Sequence, residues 1–105
     1  MTRTEMIRQV LENLGVIDAI QSPSAEDAVA AGRRLDQETA RLREIGLMWW
    51  TVDAIPDAVS QALSDLVAER CGPTFGKPYQ AIRGEGRIAA VKSSAQREAQ
   101  RAEYF

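Results

Sequence analysis

The stretch Gly46-Leu47-Met48-Trp49-Trp50-Thr51-Val52-Asp53-Ala54-Ile55-Pro56 separates two long helical patterns and holds both tryptophans of the chain. Gly46 suits the left-handed position that ends a helix, and Pro56 suits the first turn of the next helix. The residues between them favour an extended link over about residues 47–55, in which neighbouring side chains point to opposite faces. If one indole enters the core, the other needs a second apolar surface, such as a partner subunit; alternatively, both rings roof a small core.

Two helices are predicted before this stretch. The first runs from about Thr4 to Leu14, with a capping box between Thr2 and Glu5 and a stop at Gly15, after which Val16 and Ile17 fold back onto its apolar stripe. The second begins after Ser24 and continues to about Ile45 as the longest helix of the chain. Its inward face is narrow and consists of Ala28, Gly32, Leu35, Thr39 and Leu42, while charged residues such as Glu38 are placed outside. Glycine in the middle of a helix suggests a close helix crossing there.

A third helix is predicted from Pro56, with a strong apolar stripe, and it is expected to end at Cys71-Gly72-Pro73 because proline interrupts helices. A turn over 74–78 follows, with Phe75 as an anchor. From Tyr79 onward the apolar positions are Ile82, Ile88 and Val91, and then only alanines. This weak stripe predicts a C-terminal arm, residues 87–105, whose last two turns project from the bundle.

Taken together, these segments predict an all-α fold, a small bundle of about four helices in one domain over residues 1–105, with a helical core over about 4–82. A chain of 105 residues has room for a single modest core. No apolar run is long enough to span a membrane, and the N-terminus lacks the apolar segment of a secretion signal, so a reducing cytoplasm is expected. The lone Cys71 is expected to be a free buried thiol.

Residue usage argues against catalysis. The chain has no histidine, which removes the commonest general base, Ser-His and Cys-His nucleophiles and a zinc site. The acidic pair Glu26-Asp27 is explained by the dipole of the helix that it starts. Gly84-Glu85-Gly86 lacks the preceding strand and third glycine of a dinucleotide loop. We expect no catalytic residues, cofactor or metal.

Charge divides the chain near Lys77. Residues 77–105 carry six basic and three acidic side chains, whereas residues 1–76 carry seven basic and twelve acidic ones. A basic, alanine-rich helix that ends in Tyr104-Phe105 suggests a docking arm with aromatic anchors, although a solvated terminal helix has the same pattern. The net charge of −2 argues against sequence-specific DNA recognition.

A series of helix-punctuating segments resembles the head-to-tail adaptor proteins of tailed bacteriophages, also called head completion or connector proteins. The nearest form is the tail accessory factor of short-tailed phages and of gene-transfer particles. The resemblance covers about residues 4–92 and rests on Leu14-Gly15-Val16-Ile17, Pro23-Ser24-Ala25-Glu26-Asp27-Ala28, Leu35-Asp36, Gly46-Leu47, Ile55-Pro56-Asp57-Ala58-Val59 and Phe75-Gly76.

The resemblance implies a structural virion protein at the virion neck, assembled in the host cytoplasm, that forms a ring, usually twelvefold, beneath the portal protein. Such a ring extends the DNA channel, contacts DNA only as passing genome, and joins the DNA-filled head to a further tail or stopper component. Family members grip the portal with their C-terminal part, which maps here onto Arg87, Lys92, Arg97, Arg101, Tyr104 and Phe105. The link maps to subunit or tail contacts, at Trp49, Trp50, Thr51 and Val52.

The arm departs from the family pattern, because Gly84 and Gly86 are expected to interrupt a more continuous final helix and to leave its start and direction open. Two other classes of function remain. One is a small helical interaction or DNA-binding regulatory module, and the other is an enzyme that uses carboxylates alone. The first requires a DNA-reading helix, and the second requires acids clustered in a pocket.

Overall fold

A computed structural model describes the backbone of residues 1–104 and the side chains of residues 1–97. It contains four helices: α1 (Arg3–Asn13), α2 (Ala25–Glu44), α3 (Asp57–Phe75) and α4 (Gly84–Tyr104). The predicted small all-α bundle is confirmed. Within the described part, no helix is long and apolar enough to cross a membrane.

Local capping signals set the bounds of α1. The Thr2 hydroxyl accepts from the Glu5 amide and the Glu5 carboxylate accepts from the Thr2 amide, which is the predicted capping box. Gly15 follows the helix with a positive φ of 71°. The chain then folds back, because the Val16 amide donates to the Leu11 carbonyl and Ile17 is buried. The predicted course of this region is confirmed.

Helix α2 begins after the Ser24 cap, as predicted, and packs against α1 where Gly32 lies. A Cβ atom at Gly32 would come within 2.7 Å of the Arg3 guanidinium and 3.2 Å of Ile7, so the absence of a side chain permits the close crossing. Two predictions for α2 were wrong. Glu38 is buried because two arginines pair with it, and α4, with 21 residues, is longer than α2, with 20.

Helix α3 is the centre of the bundle, since it packs against each of the other three helices. Its residues 62–68 are all buried, so it has no exposed face over those two turns. The predicted end at Cys71–Pro73 was wrong, because the helix continues through Pro73 and ends before Gly76, whose φ is 65°. One proline near the end of a helix removes a single backbone hydrogen bond. The Lys77 amide donates to the Gly72 carbonyl and closes this end.

The link between α2 and α3 turns more sharply than predicted. Gly46 has a φ of 81°, and an isolated bridge joins Thr51 to Ala54. As a result, the indoles of Trp49 and Trp50 do not lie on opposite faces; their ring centroids are 4.8 Å apart with an interplanar angle of 89°. At the end of the link, Ile55 exchanges two backbone hydrogen bonds of 2.8 Å with Met1.

The C-terminal region contradicts two further predictions. Gly84 and Gly86 do not interrupt the final helix, because α4 begins at Gly84 and contains both. Ile82 is 74% exposed instead of belonging to the apolar stripe, since it lies in the turn before α4. Residues 93–97 of α4 are exposed, in line with a projecting arm, and the backbone extends 50 Å along its longest axis against 22 and 21 Å along the others.

Candidate functional site

The predicted docking residues of the arm occupy different environments. Arg87 donates to Asp65 at 2.6 Å and is therefore engaged within the bundle. Lys92 donates to the Gly46 carbonyl oxygen, which holds the third turn of α4 beside the link. Arg97 is exposed. The side chains of the other three, Arg101, Tyr104 and Phe105, lie outside the described residues.

The first contact that seats α4 is apolar. A Cβ atom at Gly84 would lie 2.6 Å from Cγ of Leu66, so the start of α4 lies directly on α3. One turn later Ile88 is completely buried, and Val91 packs against the core at its edge. Within the described chain, α3 is the only helix whose backbone α4 approaches. An apolar contact centred on Ile88 therefore seats the start of α4 on α3.

Asp65 of α3 gathers three donors around one carboxylate. Arg87 reaches one of its oxygens, while the Tyr79 hydroxyl at 2.7 Å and the Gln61 amide at 3.0 Å reach the other. We call this arrangement the Asp65 clasp. Burial and the hydrogen bond to Asp65 raise the pKa of Tyr79 to about 12, because both favour the protonated phenol. The clasp joins α3, the segment before α4, and α4 itself.

A second charged cluster joins α4 to α2. The Glu38 carboxylate, 3% exposed, accepts from Arg41 and, at 3.3 Å, from Arg70 of α3. Arg41 also reaches Glu85 of α4 at 2.5 Å. The hydrogen bonds that Arg41 donates to Glu38, reinforced by Glu85, raise the pKa of the Arg41 guanidinium, which is charged at all ordinary pH values. Arg41 thus bridges a buried carboxylate on its own helix and an exposed one on α4.

The predicted interface residues of the link differ in exposure. Trp50 is 8% exposed and belongs to the core, whereas Trp49 is 42% exposed and Thr51 is exposed, with Val52 intermediate. The indole NH of Trp50 is buried and has no hydrogen-bond acceptor among the described residues. The neighbouring Ile45 is also half exposed. The structure therefore brings Trp49 and Ile45 to the surface at the end of α2, close to where Lys92 touches the link.

The sequence interpretation missed a groove of about 1070 Å³ between α1 and α2. Its lining includes Ile7, Pro23, Ala28, Ala40 and Val29, of which Val29 is 61% exposed. The signal was present as Val29 and Ala40, an apolar and a small residue of α2 that lie outside the stripe that packs on the core. Arg3 and Asp36 pair across the groove at 3.0 Å.

The described side chains offer little for catalysis. Cys71 is buried, and burial raises the pKa of its thiol to about 11, which keeps it protonated and unreactive. No group of three or more cysteine or acidic side chains that could hold a metal ion occurs among the described residues. The two buried carboxylates, Glu38 and Asp65, already accept from arginine side chains. Among the described residues, the most distinctive arrangement is therefore the seating of α4 on α3.

No protein-family model, no curated protein and no solved structure matches the chain.

Proposed function

We propose that the chain is a head-to-tail adaptor that assembles as a ring beneath the portal protein of a tailed bacteriophage or gene-transfer particle. In that role it joins the DNA-filled head to a tail or stopper component and surrounds the DNA that passes through the channel. Its place is the virion neck. No catalytic step belongs to this function.

The observation that carries the proposal is the shape of α4. Its first three turns are seated, through Gly84, Ile88 and Lys92, and the exposed residues 93–97 continue away from the bundle. A helix that leaves the core in this way supplies contact area outside its own protomer. Lys92 and Arg97 give it basic character at the point where it leaves. These features suit an arm that inserts into a larger assembly.

Trp49 and Ile45 supply a second surface. Both are exposed at the C-terminal end of α2, beside the third turn of α4. Exposed tryptophan is typical of protein interfaces because its large apolar ring gains much from being covered. We assign this surface, with Thr51 and Val52, to the contact between neighbouring subunits of the ring or to the tail component.

Imaging with the portal tests the proposal. The full chain and a variant that lacks residues 97–105 are mixed with the portal ring from the same genome and examined by negative-stain microscopy and native mass analysis. A symmetric added layer that requires residues 97–105 supports an adaptor docked through its arm. A matched control replaces Arg33 and Arg34 of α2 by alanine, which removes two exposed charges far along the chain from the arm and leaves the layer intact.

Failure of the full chain to join a properly formed portal ring overturns the proposal. In that event a gel-shift assay with duplex DNA at increasing salt separates the remaining classes. A shift that weakens steeply with salt indicates the alternative, a small DNA-binding regulatory module, since release of counterions dominates such binding. Absence of a shift indicates a protein-interaction module.

A further inference from the structure

We infer that α4 is an exchangeable arm, and that a second copy of this chain can receive it on the same α3 surface that it occupies within its own protomer. The inference concerns how copies of the chain bind one another and goes beyond docking on a portal. It rests on three observations: the packing of α4 against α3 alone among the described helices, the specificity of the Asp65 clasp, and the backbone conformation of Arg83.

The seat of α4 is confined to one helix, α3. Ile88 is the one apolar side chain of residues 84–97 that is fully buried, and Gly84 fits against Leu66. Because the backbone of α4 approaches α3 alone among the described helices, α4 can leave without disturbing the packing of α1 against α2. An element that packs against a single neighbour can open as a local unit, at a lower free energy than global unfolding.

The polar contacts define which helix fits the vacated surface. Asp65 requires a cation at the position of Arg87, Arg41 presents its guanidinium to Glu85, and the Gly46 carbonyl accepts from Lys92. Buried or half-buried charges that lose their partners are costly, so the surface selects a helix with this charge pattern. The α4 helix of another copy carries the identical pattern, which makes exchange between copies self-complementary.

The backbone at Arg83, which we call the joint before α4, favours exchange of the arm between copies. Arg83 has a φ of 56°, and it is the one non-glycine residue of the described chain in the left-handed region. That conformation is unfavourable for a residue with a Cβ atom, and it lies in the turn that brings the chain back onto α3. If α4 extends toward a neighbour, Arg83 can adopt an ordinary conformation. Tyr79 remains on Asp65, since it precedes the joint.

A charge exchange between two full-length variants tests the inference. D65R places a cation opposite Arg87, and R87D places an anion opposite Asp65, so each variant alone repels its own arm. When the two variants are mixed, the residue at position 87 of each variant has the opposite charge to the residue at position 65 of the other variant. We expect a two-chain species by light scattering, and capture of the untagged variant by the tagged one roughly tenfold above that of the wild-type pair.

The double variant D65R/R87D is the matched control, because it restores an opposite-charge pair within one chain and is expected to remain a single chain. A mixture of the single variants that shows single-chain mass and no capture overturns the inference. If circular dichroism shows that D65R does not fold, deletion of residues 80–82 replaces it. The shortened segment cannot return α4 to its own α3, so a two-chain mass is expected and a single-chain mass is contradictory. Neither experiment involves a portal, so a negative result in either one contradicts arm exchange and leaves the adaptor proposal untouched.

Discussion

At the scale of single residues, two glycines in α4 have opposite roles although they are two positions apart. Gly84 is pressed against Leu66, while a Cβ atom at Gly86 would have no neighbour within 4 Å. The sequence shows both as helix breakers, and only the packing of α4 on α3 distinguishes them. The same substitution should therefore change stability in opposite directions at the two positions.

We expect Gly84→Ala to lower the free energy of unfolding by about 1 to 3 kcal/mol, because the new methyl group displaces Leu66 from the contact between α3 and α4. Gly86→Ala is the control and should raise it by up to about 1 kcal/mol through helix propensity. Urea denaturation followed by circular dichroism measures both. Equal effects of the two substitutions would contradict the close approach of α4 to α3.

Tyr79 makes stability depend on alkaline pH. Its pKa is raised from 10.0 to about 12 by burial and by the hydrogen bond to Asp65, so folding favours the protonated phenol. The contribution of Tyr79 to the free energy of unfolding is complete below pH 10, the pKa of the phenol in the unfolded chain, and it is lost as the pH rises from 10 through 12. We expect Tyr79→Phe to cost about 2 kcal/mol at pH 7, with a smaller difference from wild type at pH 11. Urea denaturation of both proteins at the two pH values measures this, and an unchanged difference would contradict the assignment.

At the scale of elements, local chemistry predicted most of the helix bounds. Thr2, Ser24 and Gly46 act on backbone groups within a few residues, so their effect is visible in the sequence. Tertiary contacts overrode the local signal elsewhere. The last turn of α3 continues through Pro73 to Phe75, which packs against the core, and two arginines allowed Glu38 to enter the core.

Removal of residues 97–105 should leave the bundle intact, because residues 93–96 immediately before the cut are already exposed. We expect an unchanged thermal midpoint and a loss of helical signal no greater than the removed residues supply. A longer truncation that ends at Arg87 is the contrasting variant. It removes Ile88 and should cost about 2 to 5 kcal/mol, the range for emptying a buried aliphatic site. A large loss of stability in the shorter truncation would place the arm within the core.

At the scale of the whole molecule, the sequence predicted a single small bundle with a projecting arm but not how the arm is held. Asp65, Tyr79 and Arg87 are separated by up to 22 residues and carry no motif. Their contact depends on where the chain turns back into α4. Arg83 sets this turn through a left-handed backbone conformation, which an arginine in the sequence does not indicate. The candidate docking residues, in contrast, followed from charge and from the weak apolar stripe.

We expect the pure protein to be a single chain at micromolar concentration, because the seat of α4 is filled within each protomer and a ring requires the portal as a template. Small-angle scattering should give a radius of gyration close to the 14.8 Å of the described backbone, slightly enlarged by side chains and hydration. A stable large oligomer in gel filtration would contradict this expectation. A twelvefold ring formed only on the portal would agree with it.

The perpendicular indoles of Trp49 and Trp50 also give the molecule an optical signature. Two aromatic chromophores with centroids 4.8 Å apart couple their electronic transitions, which produces a paired positive and negative band in circular dichroism. The environment and orientation of the half-exposed Trp49 change when another molecule covers the link, while the buried Trp50 keeps its orientation. Any assembly that covers this surface changes the sign or the intensity of the paired circular dichroism bands. The incorporation of the unmodified chain into an assembly can therefore be followed in real time by circular dichroism.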